Sequence, residues 1–544
     1  MHTITRSRFH PLTPIRRSRR YPEMTMSPTR ATTPAHPDAS PGRVSDAPDR
    51  ERFDVAGKQC FLIGIGGCGM SGLARMLARR GAIVSGADMQ RSDVTDGLTD
   101  EGIPVVCGAP GGEDAGLPRD CDLVIASAAV KPDHPQLLAA QSRGTPTLTY
   151  AEALGRCMLG RTGVALAGTH GKSTTAAMLG VALARAGLDP TVIVGAVCTQ
   201  LSEGRPGPPA GFRLGAETIP AGSLKGRPGL LIGEACEFNR SFHNLRPVVG
   251  AISAVEADHL DIYGSLDAVI QSFHEFAALI PPARDGGRLL ISHEGAHRRE
   301  VTAGLECAVE TIGFAPGADW VVSFDPETMR VELEHAGETV GAWTMRQPGE
   351  HNAMNSAFAA ALAITLGADP LRVGEALSDF RGVDRRVQLL GEKGGVRVYD
   401  DYGHHPTEIE ATLRALRQYE KPQEKGGRLI CVFQPHQHSR TRFLMEEFAQ
   451  SFTQADVVIV PHIYFVRDSE IEKTKVSAGD LVDRLRERGV RAMHLYPFGA
   501  IVEQLENICR PGDLLVVMGA GPVWQVARGF LEAGIGHQAS GIGS

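Results

Sequence analysis

The residues with the plainest chemistry in this 544-residue chain are Gly168, Thr169, His170, Gly171, Lys172, Ser173 and Thr174, which follow the apolar run Gly163-Val164-Ala165-Leu166-Ala167. Gly168 and Gly171 let backbone NH groups wrap a phosphate, Lys172 can reach β and γ phosphates, and the Ser173 hydroxyl can ligate Mg²⁺. The strict GxxxxGK[ST] pattern fails at Leu166, but every group the chemistry uses is present. A nucleotide-cleaving site also needs an acidic metal partner at the carboxyl end of a neighbouring strand. The run Leu230-Leu231-Ile232-Gly233 supplies it by ending in Glu234, with Glu237 just beyond. The next apolar run, Val248 to Ser253, leads into Glu256, Asp258, His259 and Asp261. Two acids and a histidine at adjacent strand ends make a second cation site. Cap or turn roles for Glu237, Asp258 and Asp261, and a core role for His259, stay open.

Two further clusters have the same look. Cys60-Phe61-Leu62-Ile63 runs into Gly64, Gly66, Gly67 and Gly69, and a second apolar run ends at Asp88. This glycine spacing would seat a pyrophosphate on a helix N-terminus with Asp88 on a ribose. It fits a dinucleotide and a nucleotide diphosphate equally, and a turn that only packs helix on strand also satisfies it. Near the C-terminus, Asp400, Asp401, Tyr402, His404 and His405 follow one apolar run, and Gln434, His436, Gln437, His438, Ser439, Arg440 and Arg442 follow another.

The elements that must position these groups alternate strand and helix throughout, so the expected class is α/β with three units. The boundaries fall at 51–157, 158–384 and 385–544. The helix after the Lys172 loop is expected from about Thr174 to Ala186, and Gln200 to Gly229, rich in Gly and Pro, reads as a long loop over the site. The length asks for several units with separate cores. Residues 1–50 hold eight of the 34 prolines and nine Arg against four acids, and read as a disordered tail. The remaining 494 residues then carry 47 basic and 59 acidic groups, a net of -12, which disfavours a nucleic-acid-binding body. The ten cysteines form no paired framework, which suits a reducing compartment, and no apolar stretch is long enough for a membrane span.

Eight blocks in order resemble the Mur ligases of peptidoglycan synthesis, and among them the alanine-adding branch. They are GIGGCGMSGLA at 64–74, GTHGKST at 168–174, GEACEFNRSF at 233–242, EADHLDIYG at 256–264, GEHNAMN at 349–355, FRGVDRR at 380–386, YDDYGHHPTE at 399–408 and FQPHQHSRTR at 433–442. The resemblance covers about residues 57 to 530. It implies a Rossmann-like UDP-binding domain, a central ATPase domain with a mostly parallel sheet, and a Rossmann-like C-terminal domain, in a cytoplasmic monomer or homodimer. It implies ATP, Mg²⁺, UDP-N-acetylmuramate and L-alanine as the ligands, and ligation through an acyl phosphate.

By the same resemblance, Gly168, Thr169, His170, Gly171, Lys172, Ser173, Thr174, Asn352, Arg386 and Asp401 would bind ATP. Ser173, Glu234 and His259 would hold metal. Gly64, Gly66, Gly67, Gly69, Asp88 and Ser127 would take the UDP-sugar, which displaces the oxidoreductase reading of the glycine loop. Tyr402, His404, His436 and Arg440 would surround the amino acid, and Lys172, Glu234, His259, His404 and Arg440 would carry the catalysis. The chain departs from the family pattern at Ser173, Cys236, Asn239 and Gln437-His438-Ser439. The last costs one cationic group, so glycine or serine is expected to compete with alanine more than usual. A ligase that adds a preformed peptide to the same sugar nucleotide is the nearest alternative, and a catalytically silent UDP-sugar-binding regulator is another.

Overall fold

The computed structural model describes residues 53–533 apart from 112, 205–208 and 467; the expected tail, residues 1–50, lies outside them. Three sheets account for the described strands. The first lies between Gln59–Ile63 and Thr147–Thr149, is wholly parallel, and runs third-second-first-fourth-fifth in chain order. That order places a switch point beside Gln59–Ile63, where open α/β sheets bind ligands.

The central sheet has ten strands. Seven are parallel, from Trp320–Asp325 at one side to Thr191–Ile193 at the other, with Thr162–Ala167 between Val249–Ile252 and Leu230–Glu234. Antiparallel strands close both edges, Phe212–Arg213 on one and Arg330–His335 with Glu338–Thr344 on the other. The third sheet has six strands, five of them parallel, with Gln388–Lys393 antiparallel at its edge.

The helix after the phosphate-type loop spans Lys172–Arg185, two residues earlier than expected, because Gly171 caps it in the left-handed conformation (φ 81°). Every residue from Ser173 to Leu183 is buried, as expected for a helix apolar all round. It packs on a second buried helix, Glu350–Thr365. Asn352 and Asn355 thereby come to the same end of the sheet as Lys172.

Two expectations need correction. The segment Gln200 to Gly229, of which 205–208 lie outside the described residues, is not throughout a loop over the site. It holds Phe212–Arg213 as an edge strand, and its distal part lies at the amino ends of the strands, where Gly229 O accepts from Thr162 N and Gly229 N donates to Glu217 O. Glycines 215 and 229 make this possible, since a Cβ on either would lie 2.1 Å from a backbone carbonyl oxygen. The three units also do not have three separate cores. One apolar cluster runs from Leu62, Leu73 and Leu154 of the first sheet's layers into Ile193, Leu231, Phe242 and Phe273 of the central one. The C-terminal unit keeps clusters of its own, around Phe433 and Phe448 on one face and Val517 and Phe530 on the other.

Candidate active site

Strand Thr162–Ala167 ends in a loop that only glycine permits. Gly168 has φ 129°, and a Cβ there would lie 2.1 Å from Ser253 Oγ; at Gly171 it would lie 2.3 Å from Asn355 Oδ1. Lys172 folds back over this loop, donating from Nζ to Gly168 O (2.6 Å) and Thr169 O (3.2 Å). Its ammonium pairs with Glu237 at 2.9 Å. Burial disfavours the charge, but Glu237 outweighs it and the Lys172 pKa is raised. Glu234, by contrast, accepts from Gly195 N at 2.6 Å.

Glu237, Asp258 and His259 each bring a ligand-type atom within 4.8 Å of the others. His259 sits at φ 52° and ψ 37°, a strained left-handed conformation for a non-glycine residue. Asp258 is bound from across the domain boundary: Arg440 Nε and Nη2 reach its two oxygens at 3.0 and 3.2 Å, and both residues are buried. Burial raises the Asp258 pKa, yet Arg440 outweighs it and holds the carboxyl well below the usual range.

The C-terminal sheet presents its groups at carboxyl strand ends. Tyr402, His404 and His436 form a chain of edge-on rings with centroids 5.4 and 5.7 Å apart. Burial, with Arg440 nearby, pushes the His404 pKa down to about 3, so its imidazole is neutral. Its Nδ1 faces Tyr402 O at 3.2 Å, which places the proton there and leaves Nε2 as acceptor. Gln437 is buried, has φ 69°, and its Nε2 has no partner.

A cavity of about 680 Å³ joins these groups. Lys172, Ser173, Glu234, Glu237, Asp258 and His259 line it from the central unit, Tyr402, His404, His436, Gln437 and Arg440 from the C-terminal unit, and Cys68 from the first. A second cavity, of about 230 Å³, runs past Gly171 and Thr174 to Asn352, Arg386 and Asp401. Burial raises Asp401 to about 6, and both of its oxygens accept backbone NH groups, from Val387 (2.7 Å) and Gly403 (2.6 Å).

The expected residues are therefore largely brought together. Gly64, Gly66, Gly67, Gly69, Asp88 and Ser127 meet at the carboxyl edge of the first sheet, where Gly66 N donates to Asp88 Oδ2 at 2.9 Å. What sequence reasoning missed is pairing. It found Lys172, Glu237, Asp258 and Arg440 but not that they form two ion pairs, and it gave no individual role to Glu408, His405 or Glu256. Glu256 and His405 were visible only as members of strand-end clusters, and Glu408 only within a quoted block.

Three α/β units meeting at a phosphate loop, with Tyr402, His404, His436 and Arg440 opposite its lysine, have the arrangement of an ATP-dependent ligase. Family models match along the chain: Mur ligase family, catalytic domain over residues 61–162; Mur ligase middle domain over 166–363; and Mur ligase, glutamate ligase domain over 385–521. The chain belongs to the Mur ligase family. It is 36% identical over 480 residues to the UDP-N-acetylmuramate--L-alanine ligase of Salinibacter ruber, covering 87% of this chain and 94% of the relative. It is 37% identical over 472 residues to that of Rubrobacter xylanophilus, covering 86% and 98%. Among solved structures it is similar to a UDP-N-acetylmuramate-alanine ligase from Thermotoga maritima, with TM-score 0.69 and 25% identity over 89% of this chain and 99% of that one. A murein peptide ligase from Psychrobacter arcticus shares the fold, with TM-score 0.65, 23% identity, and coverage of 88% and 98%.

Proposed function

We propose that this protein joins L-alanine to the lactyl carboxylate of UDP-N-acetylmuramate through an acyl phosphate at the expense of ATP, a cytoplasmic step of peptidoglycan synthesis. The observation that carries the reading is the single cavity in which Lys172 of the phosphate loop faces Tyr402, His404, His436 and Arg440. The domains divide near residues 157 and 384.

In this reading the sugar carboxylate oxygen attacks the γ phosphorus, the bond to ADP breaks, and ADP leaves. The NH groups of the Gly168–Gly171 loop and the Lys172 ammonium, moved from Glu237 to the nucleotide, stabilise the transferring phosphoryl group. Asn352 meets the adenine, Arg386 the phosphates and Asp401 the ribose side of the smaller cavity. The alanine amine then attacks the acyl carbon to give a tetrahedral intermediate, which collapses as the C–O bond to phosphate breaks, the amine's proton leaving with the phosphate. Neutral His404 accepts a hydrogen bond from the amine at Nε2 without repelling it. Apposition of the C-terminal unit keeps water from the acyl phosphate.

Ser173 and Glu234 would hold a first Mg²⁺ and His259, with Glu237 beside it, a second; oxygen donors predominate, as a hard cation requires. These ions would supply charge neutralisation at the phosphoryl oxygens. Asp258 is committed to Arg440 and takes no part. Gly64, Gly66, Gly67, Gly69, Asp88 and Ser127 bind the UDP-sugar.

Purified protein is expected to release phosphate from ATP only when UDP-N-acetylmuramate, L-alanine and Mg²⁺ are all present. Equal turnover when a preformed peptide replaces alanine, or none with alanine, overturns the reading.

A further inference from the structure

His170 lies inside the phosphate loop, yet its imidazole is held between carboxylates of two different units. Nε2 stands 3.3 Å from Glu256 Oε2, just beyond strand Val249–Ile252 of the central sheet. Nδ1 stands 3.4 Å from Glu408 Oε1, in the first turn of helix Pro406–Glu420 of the C-terminal unit, an ion-pair distance without the alignment of a hydrogen bond. All three side chains are largely buried, at 17%, 34% and 14% exposure. The contact is reinforced on both sides. Thr407 Oγ1 donates to Glu256 Oε2 (2.6 Å), His405 Nε2 lies 3.3 Å from Ala257 O, and the His170 and His405 ring centroids are 4.7 Å apart.

Glu408 does more than face His170. Its Oε2 accepts the backbone NH groups of His404 (3.0 Å) and His405 (3.3 Å), and its Oε1 lies 3.6 Å from Arg386 Nη1. One carboxylate thus ties the phosphate loop to the turn that carries Tyr402 and His404. Two carboxylates face the imidazoles of His170, His404 and His405 and one guanidinium; burial favours the neutral form of His404 and His405, so the charges balance when His170 is charged. Burial works against that charge, but Glu256 and Glu408 outweigh it and raise the His170 pKa to about 9.

We infer that His170 is a positioning residue: it pins the C-terminal unit to the phosphate loop through Glu408, with Glu256 of the central unit on its other side, and so sets where His404 and Tyr402 stand relative to the nucleotide. The inference rests on the ligase reading for its catalytic consequence, though not for the pin itself. A group that acts by holding the amine-acceptor side in register lowers the rate of the complete reaction and raises the KM for alanine. It leaves alone the sugar nucleotide, whose residues lie on the first unit.

The test is a double-mutant cycle with His170→Gln and Glu408→Gln in the full-length protein, read in two ways. In steady-state kinetics each single variant is expected to lower kcat/KM for alanine about tenfold, and the double variant well short of a hundredfold, because the His170–Glu408 contact is already lost in each single variant. The KM for UDP-N-acetylmuramate should change less than twofold, by the same argument from independent sites. In thermal unfolding the two substitutions should likewise be non-additive, a readout that needs no activity. Additive losses in both readouts overturn the pin, as does a KM for the sugar nucleotide that rises with that for alanine. If the parent protein shows no alanine-dependent turnover, the ligase reading fails, while non-additive unfolding still upholds the pin. If His170→Gln does not fold, Glu256→Gln paired with Glu408→Gln carries the same cycle.

Discussion

Lys172 and Glu237 form a largely buried pair, and removing one member strands the other's charge at a cost of about 3–5 kcal/mol. Lys172→Ala is therefore expected to lower the melting temperature as well as to cut turnover by about three orders of magnitude, the scale of losing one preorganised charge contact. Adding Glu237→Gln should recover the stability and none of the turnover, and UDP-sugar binding measured by calorimetry should survive both. Gln437 carries a different expectation. Arg440 is already engaged by Asp258, and Arg442 by Glu472 at 3.1 Å, whereas the buried Gln437 Nε2 beside them has no partner. Gln437→Arg should lower the KM for alanine about tenfold, a charge-assisted bond replacing a neutral one, and sharpen discrimination against glycine and serine. An unchanged KM would show that the alanine carboxylate lies elsewhere.

At the scale of the element, the phosphate loop is a strand-to-helix turn in which two glycines have separate steric reasons. Gly171 both caps Lys172–Arg185 from the left-handed region and abuts Asn355 of the neighbouring buried helix. Gly286 has a similar φ of 87° but open space where a Cβ would go. Gly286→Ala should then cost only the left-handed penalty of about 1–2 kcal/mol. Gly171→Ala should cost more in denaturant unfolding and also lose ATP binding, since Asn355 cannot withdraw without disturbing the buried helix. Equal costs would show that the loop relaxes freely. Much of this element was legible beforehand, because glycine spacing and an apolar run constrain a strand–loop–helix locally. The two-residue error at the helix start came from placing Lys172 in the loop, when its backbone already forms the first helical turn.

The whole molecule divides differently from its three sheets. The first and central units share one apolar cluster, whereas Arg440, Thr407, His405 and Glu408 tie the C-terminal unit to the central one, around the phosphate loop, by polar contacts. Polar interfaces between units permit relative motion. Calorimetry should accordingly resolve two transitions, one for the C-terminal unit and one for the other two together; a single transition would contradict the division. The interface also titrates. His170 faces Glu256, Glu408 and His405, and its pKa is raised, so its contribution is fully present below pH 6.5 and is lost as pH rises through about 9. The lower transition should fall over that interval in the parent protein and stay flatter in His170→Gln. By itself the sequence determined the α/β class, the three glycine- or histidine-bearing strand ends and nearly every residue type at the site, because these depend on local spacing and side-chain chemistry. Only the tertiary structure decided which cation meets which carboxylate and which units share a core. Asp258 and Arg440 lie 182 residues apart, and His170 and Glu408 lie further apart still, so no local pattern constrains their approach. Their pairing follows from how buried charges find partners once the sheets are packed.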